Sequence, residues 1–355
     1  MGAPRSRNHG CRLAVIKLFD IDAVVLENAP LRVTVLNGKG ADIFEFLYKP
    51  LDVDFLLRPA LEPLPPGAFA PSRPPAGGYF GLYYFAGWQE VFPHGSVGTS
   101  YRGAEFGAHG EVHGLPWSCS ILKDDPDEVS VAFETRCRLT PFRLRRTMSL
   151  RSDHPSLFIE ETTTNECGEE IDFMWGHHIA FGPPFLGPDC TVQFPPSRVT
   201  SWGPDRARGT RLQAADGLAW PQVPSEDGVV DLSKVAGPKD LCHNQTFHHD
   251  MAEGWYAIRN ERAGAGFALA VDPGVFKVVW DWRIGHLQTG APSWGAGYTI
   301  GLEPFSTFNL PFDRAVEAGD SLVLGPGASL NTWLTASAFA AKGPIRRATR
   351  DGVEE

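Results

Sequence analysis

Two histidines stand side by side in FMWGHHIAFGPPFL (173–186), a stretch that otherwise reads as a buried strand. Successive side chains of a strand point to opposite faces, so His177 and His178 do not look into the same space. His177 shares parity with Phe173 and Trp175, whose bulk marks it as a packed or supporting residue. His178 shares parity with Met174, Gly176 and Ala180, and the small residues leave room beside it for a ligand. In GYTIGLEPFSTF (297–308), Glu303 lies in an apolar strand with Thr299, Gly301 and Phe305 on its own face. Desolvation raises the pKa of such a carboxyl group and suits it to act as a general base near neutral pH, where an imidazole can exchange protons too. The structural alternative for Glu303 is an ion pair with Arg102 or Arg283.

A third stretch is HGEVH (109–113). If extended, it projects His109, Glu111 and His113 to one face, and burying three ionisable groups unpaired is costly. They line a polar pocket, or they ligate a divalent ion with His94 as a further ligand, or they are satisfied core residues. Trp88 and Trp282 fall near these segments and offer flat apolar surfaces on which either a sugar ring or a core neighbour stacks.

The elements that must position these residues are short strands. In VSVAFETRCRL, Val129, Val131, Phe133, Thr135, Cys137 and Leu139 share one face, and polar residues share the other, which is the pattern of a half-buried strand. FRLRRTMSLRS and SLFIEETTTNE follow, and the three together predict an antiparallel meander. Further strands are expected within 31–49, 266–282 and 298–310, and no convincing amphipathic helix pattern of ten or more residues is present. Many short strands between frequent Gly and Pro breaks indicate an all-β sandwich or barrel. The segment 58–78 carries seven prolines and cannot be an interior strand, so it is expected to be a long surface loop. The whole chain, 1–355, is expected to form a single domain with its core at about 30–335.

Composition narrows the function classes. A formal net charge of −10 with no long basic run argues against a nucleic-acid partner. Six scattered cysteines without a CxxC pair suggest free thiols in a reducing compartment. The N-terminus has no apolar leader, although Met-Gly followed by Ser6 formally fits N-myristoylation and Pro4 speaks against it. No stretch approaches the roughly 18 apolar residues of a membrane helix. A soluble, cytoplasmic protein with a small-molecule partner and no membrane partner is the expectation.

Taken in order, GWQEVFPHG, HGEVHGLPW, TNECGEEIDFMWGHHIAFG and GLEPF resemble the galactose mutarotase-like superfamily, the aldose 1-epimerases and their relatives, over roughly residues 30–335. The opening NGKGADIFEFLYKPLDVDFL resembles their first hairpin. The resemblance implies a large antiparallel β-sandwich, called a supersandwich. It implies a reaction in which a cyclic sugar is opened and reclosed with no cofactor and no metal. It places the general acid on His178, the general base on Glu303 and a substrate-binding histidine on His109. With the neighbouring Glu111, His113, Arg102, Trp88 and Trp282, these make up the candidate site. Asn244 or Gln245 of HNQTF stands where the family has an acid for sugar hydroxyls, Ile179 follows His178 in place of Pro, and Phe305 replaces the Gly after EP. The family's early arginine motif is missing, with GWQEVFPHG near its place. Two other functions fit the same scaffold: a carbohydrate-binding protein without catalysis, and a metal-dependent lyase or isomerase built on His109, Glu111 and His113.

Overall fold

The computed structural model describes residues 10–58, 62–69, 78–85, 87–207, 209–241, 243–290, 294–308 and 311–355. The N-terminal Met-Gly pattern and most of the proline-rich segment lie outside them. The described parts of that segment, 62–69 and residue 58, contain no strand.

Two large antiparallel sheets form the fold. The 12-stranded sheet begins at Arg12–Leu18 and continues through Ile21–Glu27, Leu31–Leu36, Asp42–Tyr48, Trp88–Val91, Gly176–Phe181, Thr299–Phe305, Val278–Ile284, His243–His249 and Arg198–Ser201 to Ala215–Ala219, with Val53–Asp54 paired to Asp42–Tyr48. The 8-stranded sheet runs Cys190–Gln193, Trp255–Asn260, Ala265–Val271, Ser329–Ala340, Ser156–Asn165, Phe142–Arg151, Glu128–Arg136, Ser118–Asp124. The expected meander is present: Val131 pairs with Met148 and Leu144 with Thr163. Its first strand ends early, at Arg136, which leaves Leu139 exposed. The chain turns there because the Glu111 carboxylate accepts hydrogen bonds from the backbone N–H groups of Arg138, Leu139 and Thr140.

The sheets pack face to face over one large apolar core, where Phe46 and Phe181 of the larger sheet meet Phe267 of the smaller at centroid distances of 5.3 and 5.1 Å. Two strands before residue 30 extend the larger sheet beyond the expected core. Its outer face is partly covered by the short helix Gly78–Leu82 and by the helix Phe312–Ala318, beneath which Phe247, Trp280, Phe305 and Phe312 form a second apolar cluster. Among the described residues, no helix is long and apolar enough to cross a membrane.

Candidate active site

Strand register assembles the site. Gly176 pairs with Phe305 and Ala180 with Gly301, so His178 stands opposite Glu303. On its other side His178 pairs with Gln89, and Glu303 pairs with Trp280. Ile43 pairs with Trp88, which sets Asp42 opposite Gln89. One row across the outer face of the larger sheet therefore reads Asp42, Gln89, His178, Glu303, Trp280. His178 Nε2 lies 3.4 Å from Glu303 Oε1, and both side chains are buried.

The space at Gly176 is not open to a ligand. A side chain there would collide with the Phe305 ring at 2.1 Å, and that ring stacks on Trp280 at 3.6 Å. The other flank of His178 is walled by aromatic rings. There its imidazole meets Trp282 (5.6 Å between ring centroids), Tyr84 (5.2 Å), Phe80 (5.4 Å) and His109 (5.6 Å). His109 and His113 come together, but not on an extended strand. His109 and Gly110 have φ of 60° and 73°, and Val112–Gly114 is a 3-10 turn. The turn brings both rings against Phe80, at 4.3 and 5.0 Å. Their separation of four residues in a coiled turn, not the parity of a strand, is what lets them converge.

Buried polar atoms without partners are rare in folded proteins, yet two lie here. Tyr84 OH and Nδ1 of His178 are buried without a hydrogen-bond partner, while the buried imidazoles of His94, His109 and His113 have only the backbone of Gly107, Gly95 and Gly110 beside them. Burial governs their protonation. It raises the Glu303 carboxyl well above the ordinary carboxylate value, with the charge of Asp281 adding to the effect. It lowers the His178 imidazole well below the usual histidine range, helped by His109 and Lys39. His109 and His94 are lowered to about 4 for the same reason, with His109 adding to the shift of His94. Both directions favour the uncharged pair, carboxylic acid and free imidazole, and transfer across the 3.4 Å gap would give carboxylate and imidazolium at the same proton count.

Other expected residues lie elsewhere. Glu111 is consumed as the turn fastener described above, and a further bond from Thr140 Oγ1 to its carboxylate completes that role; it does not join His109 and His113. Arg102 is on an exposed hairpin, bonded to the Glu170 carbonyl and paired with Glu169. Trp88 is buried between the sheets and donates its indole N–H to His177 Nδ1 at 3.0 Å. Asn244 pairs in register with Arg283 on the inner face and accepts a hydrogen bond from Thr210 Oγ1 at 2.7 Å. Gln245, opposite Trp282, holds the outward position instead. Arg283 grips Asp281 with Nε and Nη2 at 2.8 and 2.7 Å, so it pairs with Asp281 and not with Glu303. The guanidinium and His248 overcome the burial of Asp281 and hold its carboxyl at about 2.

The residues missed by sequence reasoning are Lys39, Asp42, Gln89, Phe80 and Tyr84. Charges at 39 and 42 inside an apolar hairpin were the available signal. A register shift between Thr34 and Val35 breaks the period-two pattern that would have given their direction.

Among the described residues, one group places three possible metal-ligand atoms within 4.8 Å of one another: Glu90, Glu161 and His177, in the core behind the site. Its centre is already served by Arg146, whose Nη1 lies 3.0 Å from Glu90 Oε2, while the Trp175 indole N–H donates to Glu90 Oε1. Because Trp88 donates to Nδ1, His177 carries its proton on Nε2 and donates it to Glu161 Oε2 at 3.1 Å. These are protein groups bonded to one another, with Arg146 Nε and Glu161 Oε1 left 4.0 Å apart and without a hydrogen bond. Among the described residues His109, Glu111 and His113 form no such group, which leaves the metal-dependent alternative without a ligand cluster there.

Comparison with known proteins places the chain. Residues 20–338 match the family described as "Domain of unknown function (DUF4432)", and the chain belongs to that family. No curated protein matches the sequence. Among solved structures, a candidate aldose 1-epimerase from Klebsiella pneumoniae superposes with a TM-score of 0.72 at 14% identity, covering 93% of this chain and 83% of its own. A galactose mutarotase-like protein from Clostridium acetobutylicum gives 0.60 at 12% identity over 93% and 99%. A galactose mutarotase related enzyme from Lactobacillus acidophilus gives 0.58 at 12% over 92% and 100%. The fold is that of the galactose mutarotase-like superfamily.

Proposed function

We propose that the protein is an aldose 1-epimerase-like isomerase, which interconverts the anomers of a sugar by acid–base ring opening and closure, with the whole chain serving one site as a single domain. The observation that carries this reading is the buried His178–Glu303 pair, cross-strand neighbours at 3.4 Å, facing a niche that holds unpartnered polar atoms.

The chemistry needs one proton acceptor and one proton donor. With the pair as carboxylate and imidazolium, Glu303 removes the proton of the anomeric hydroxyl while His178 protonates the ring oxygen. The bond between C1 and the ring oxygen breaks, and the anomeric oxygen becomes the aldehyde carbonyl. After rotation about C1–C2, the ring hydroxyl attacks the other face of C1. His178 then takes the hydroxyl proton and Glu303 returns its own to the new anomeric oxygen. The pair finishes with the proton count it began with. Burial favours the uncharged pair, so the carboxylate and imidazolium form is reached by proton transfer from Glu303 to His178, and Trp282 and Phe80 supply flat faces for the ring. The structural relatives named above, one an enzyme related to galactose mutarotase, support the same reading.

Anomer exchange measured by NMR over a panel of aldoses, uronic acids and sugar phosphates tests it. We expect one class of sugar to be accelerated by the wild type. His178→Ala and Glu303→Gln should each lose about 10²–10⁴-fold while retaining the wild-type fold. If the wild type accelerates no sugar but binds one, the scaffold is a carbohydrate-binding protein. If the variants keep the wild-type rate, the assignment of the pair is wrong.

A further inference from the structure

Lys39 is a fully buried lysine at the end of the polar row. Its side chain is 0% exposed and that of Asp42 is 1% exposed, with Nζ 2.5 Å from Asp42 Oδ2. The turn that carries it depends on Gly40, with φ of 67°, where any side chain would meet Asp42 Oδ1 at 2.3 Å and the His113 carbonyl at 2.6 Å. The turn is tied down further by Arg146, whose Nη2 donates to the Ala41 carbonyl. Lys39 is thereby held in place by features that have no need of its charge.

An ammonium group has three N–H donors. Among the described residues only Asp42 accepts from it, and the ammonium also sits over the face of Phe85, 5.2 Å from the ring centroid. Leaving donors of a buried cation unfilled is expensive. On the acceptor side, Asp42 Oδ1 is buried without a partner. Tyr84 OH, also unpartnered, is close enough to feel the charges of both Asp42 and Glu303. Lys39 in turn acts electrostatically on His113 and His178. Register places Asp42 in the same row as His178 and Glu303, and Gly40 abuts the His113 carbonyl, so the unspent donors and acceptor lie beside the proton-transfer pair.

We propose that Lys39 and Asp42 are the hydroxyl-binding pair of this site, Lys39 donating to one hydroxyl oxygen of a neutral aldose and Asp42 accepting from a neighbouring hydroxyl. The proposal rests on the sugar reading above. The two charges balance, so the pair favours a vicinal diol over an anionic group. Neither of the arginines that could have held a phosphate reaches the site: Arg102 is on the surface and Arg283 is spent on Asp281. The pair supplies hydroxyl contacts on a chain that has Asn244 turned inward.

Removing one partner would strand a buried charge, so the test uses Lys39→Met/Asp42→Asn, which removes both. Equilibrium binding of the aldose panel by ligand-observed NMR does not depend on turnover. We expect the double variant to fold and to bind the preferred neutral aldose about 10–100-fold more weakly, with the loss appearing in KM more than in kcat. A second readout is the titration of the His178 imidazole, which meets Glu303, His109 and Tyr84 and feels the charge of Lys39. It should move upward once the ammonium is gone, which a purely structural pair placed away from the niche would not produce. Unchanged affinity in the double variant overturns the proposal, and so does a wild type that binds no neutral aldose or that needs Lys39 only for uronic acids or sugar phosphates. A sugar that binds through Lys39 but is not interconverted sinks the isomerase reading and leaves the binding pair standing.

Discussion

On the inner side of the strand Gly176–Phe181, His177 has a partner at each ring nitrogen: it accepts from Trp88 and donates to Glu161. On the outer side, His178 has Glu303 3.4 Å from Nε2, and its Nδ1 is buried with no partner. Both residues are buried and both are histidines, so composition does not distinguish them. Completeness does. In the inner network of Glu90, Arg146, Glu161 and His177 both nitrogens of the imidazole are engaged, although Arg146 Nε and Glu161 Oε1, 4.0 Å apart, make no hydrogen bond, whereas on the outer face Nδ1 of His178 itself has no partner. A buried polar group left unmatched needs an explanation, and at His178 a bound hydroxyl would supply one.

Breaking the inner network should produce the largest change in stability and no selective change in chemistry. Arg146→Met removes the cation between Glu90 and Glu161, and a stranded buried charge costs about 3–5 kcal/mol. His177→Ala leaves Trp88 and Glu161 without their partner and opens a cavity, with an expected loss of roughly 3 kcal/mol. His178→Ala, one residue along, breaks fewer hydrogen bonds and should cost about 1–2 kcal/mol while lowering anomer exchange about 10²–10⁴-fold. Urea unfolding of the three variants checks the contrast. Equal losses for the two histidine variants would show that the division between the faces is wrong.

Much of this arrangement was legible in the sequence. Period two gave the strands, and parity alone separated His177 from His178 and gave Glu303 its apolar setting. The edge hairpin Arg12–Leu18 and Ile21–Glu27 was hidden because its turn is Phe19–Asp20, both at positive φ without the glycine or asparagine that normally announces such a turn. The Glu111 reading failed because parity was applied to a segment that coils. Asn244 could not be told from Gln245 until the register with Trp282 and Arg283 was fixed. Lys39 and Asp42 were missed because their role depends on which distant strand lies beside them, and a single sequence does not state that.

A smaller effect comes from protons. Burial, with Glu161 as a charged neighbour, raises Glu90 to about 7, and burial raises Glu161 to about 7 despite Arg146. Groups raised on folding bind protons more tightly in the folded state. Their contribution is full below the ordinary carboxylate value near 4.5 and is lost as the pH climbs through about 7. The buried histidines, lowered on folding, act in the opposite direction over the same range, so the test must be differential. Glu161→Gln keeps an acceptor for His177 but no longer titrates. Its stability relative to wild type should improve between pH 5 and pH 8, read from urea midpoints at both. The same difference at the two pH values would show that the inner carboxyls do not titrate as a buried pair.

The smallest expected effect tests the outer boundary of the site. Arg102 was a candidate for holding an anionic group or balancing Glu303, and it does neither: its side chain is 51% exposed and its partners are the Glu170 carbonyl and Glu169. Exposed ion pairs of this kind contribute about 0–1 kcal/mol. Arg102→Ala should therefore leave stability within about 0.5 kcal/mol and anomer exchange within twofold for neutral aldoses and sugar phosphates alike. A selective loss on phosphorylated sugars would mean that the hairpin Thr99–Tyr101 and Ala104–Phe106 folds over the niche when substrate binds. The outer face would then be completed by the protein's own charge and not by the sugar alone.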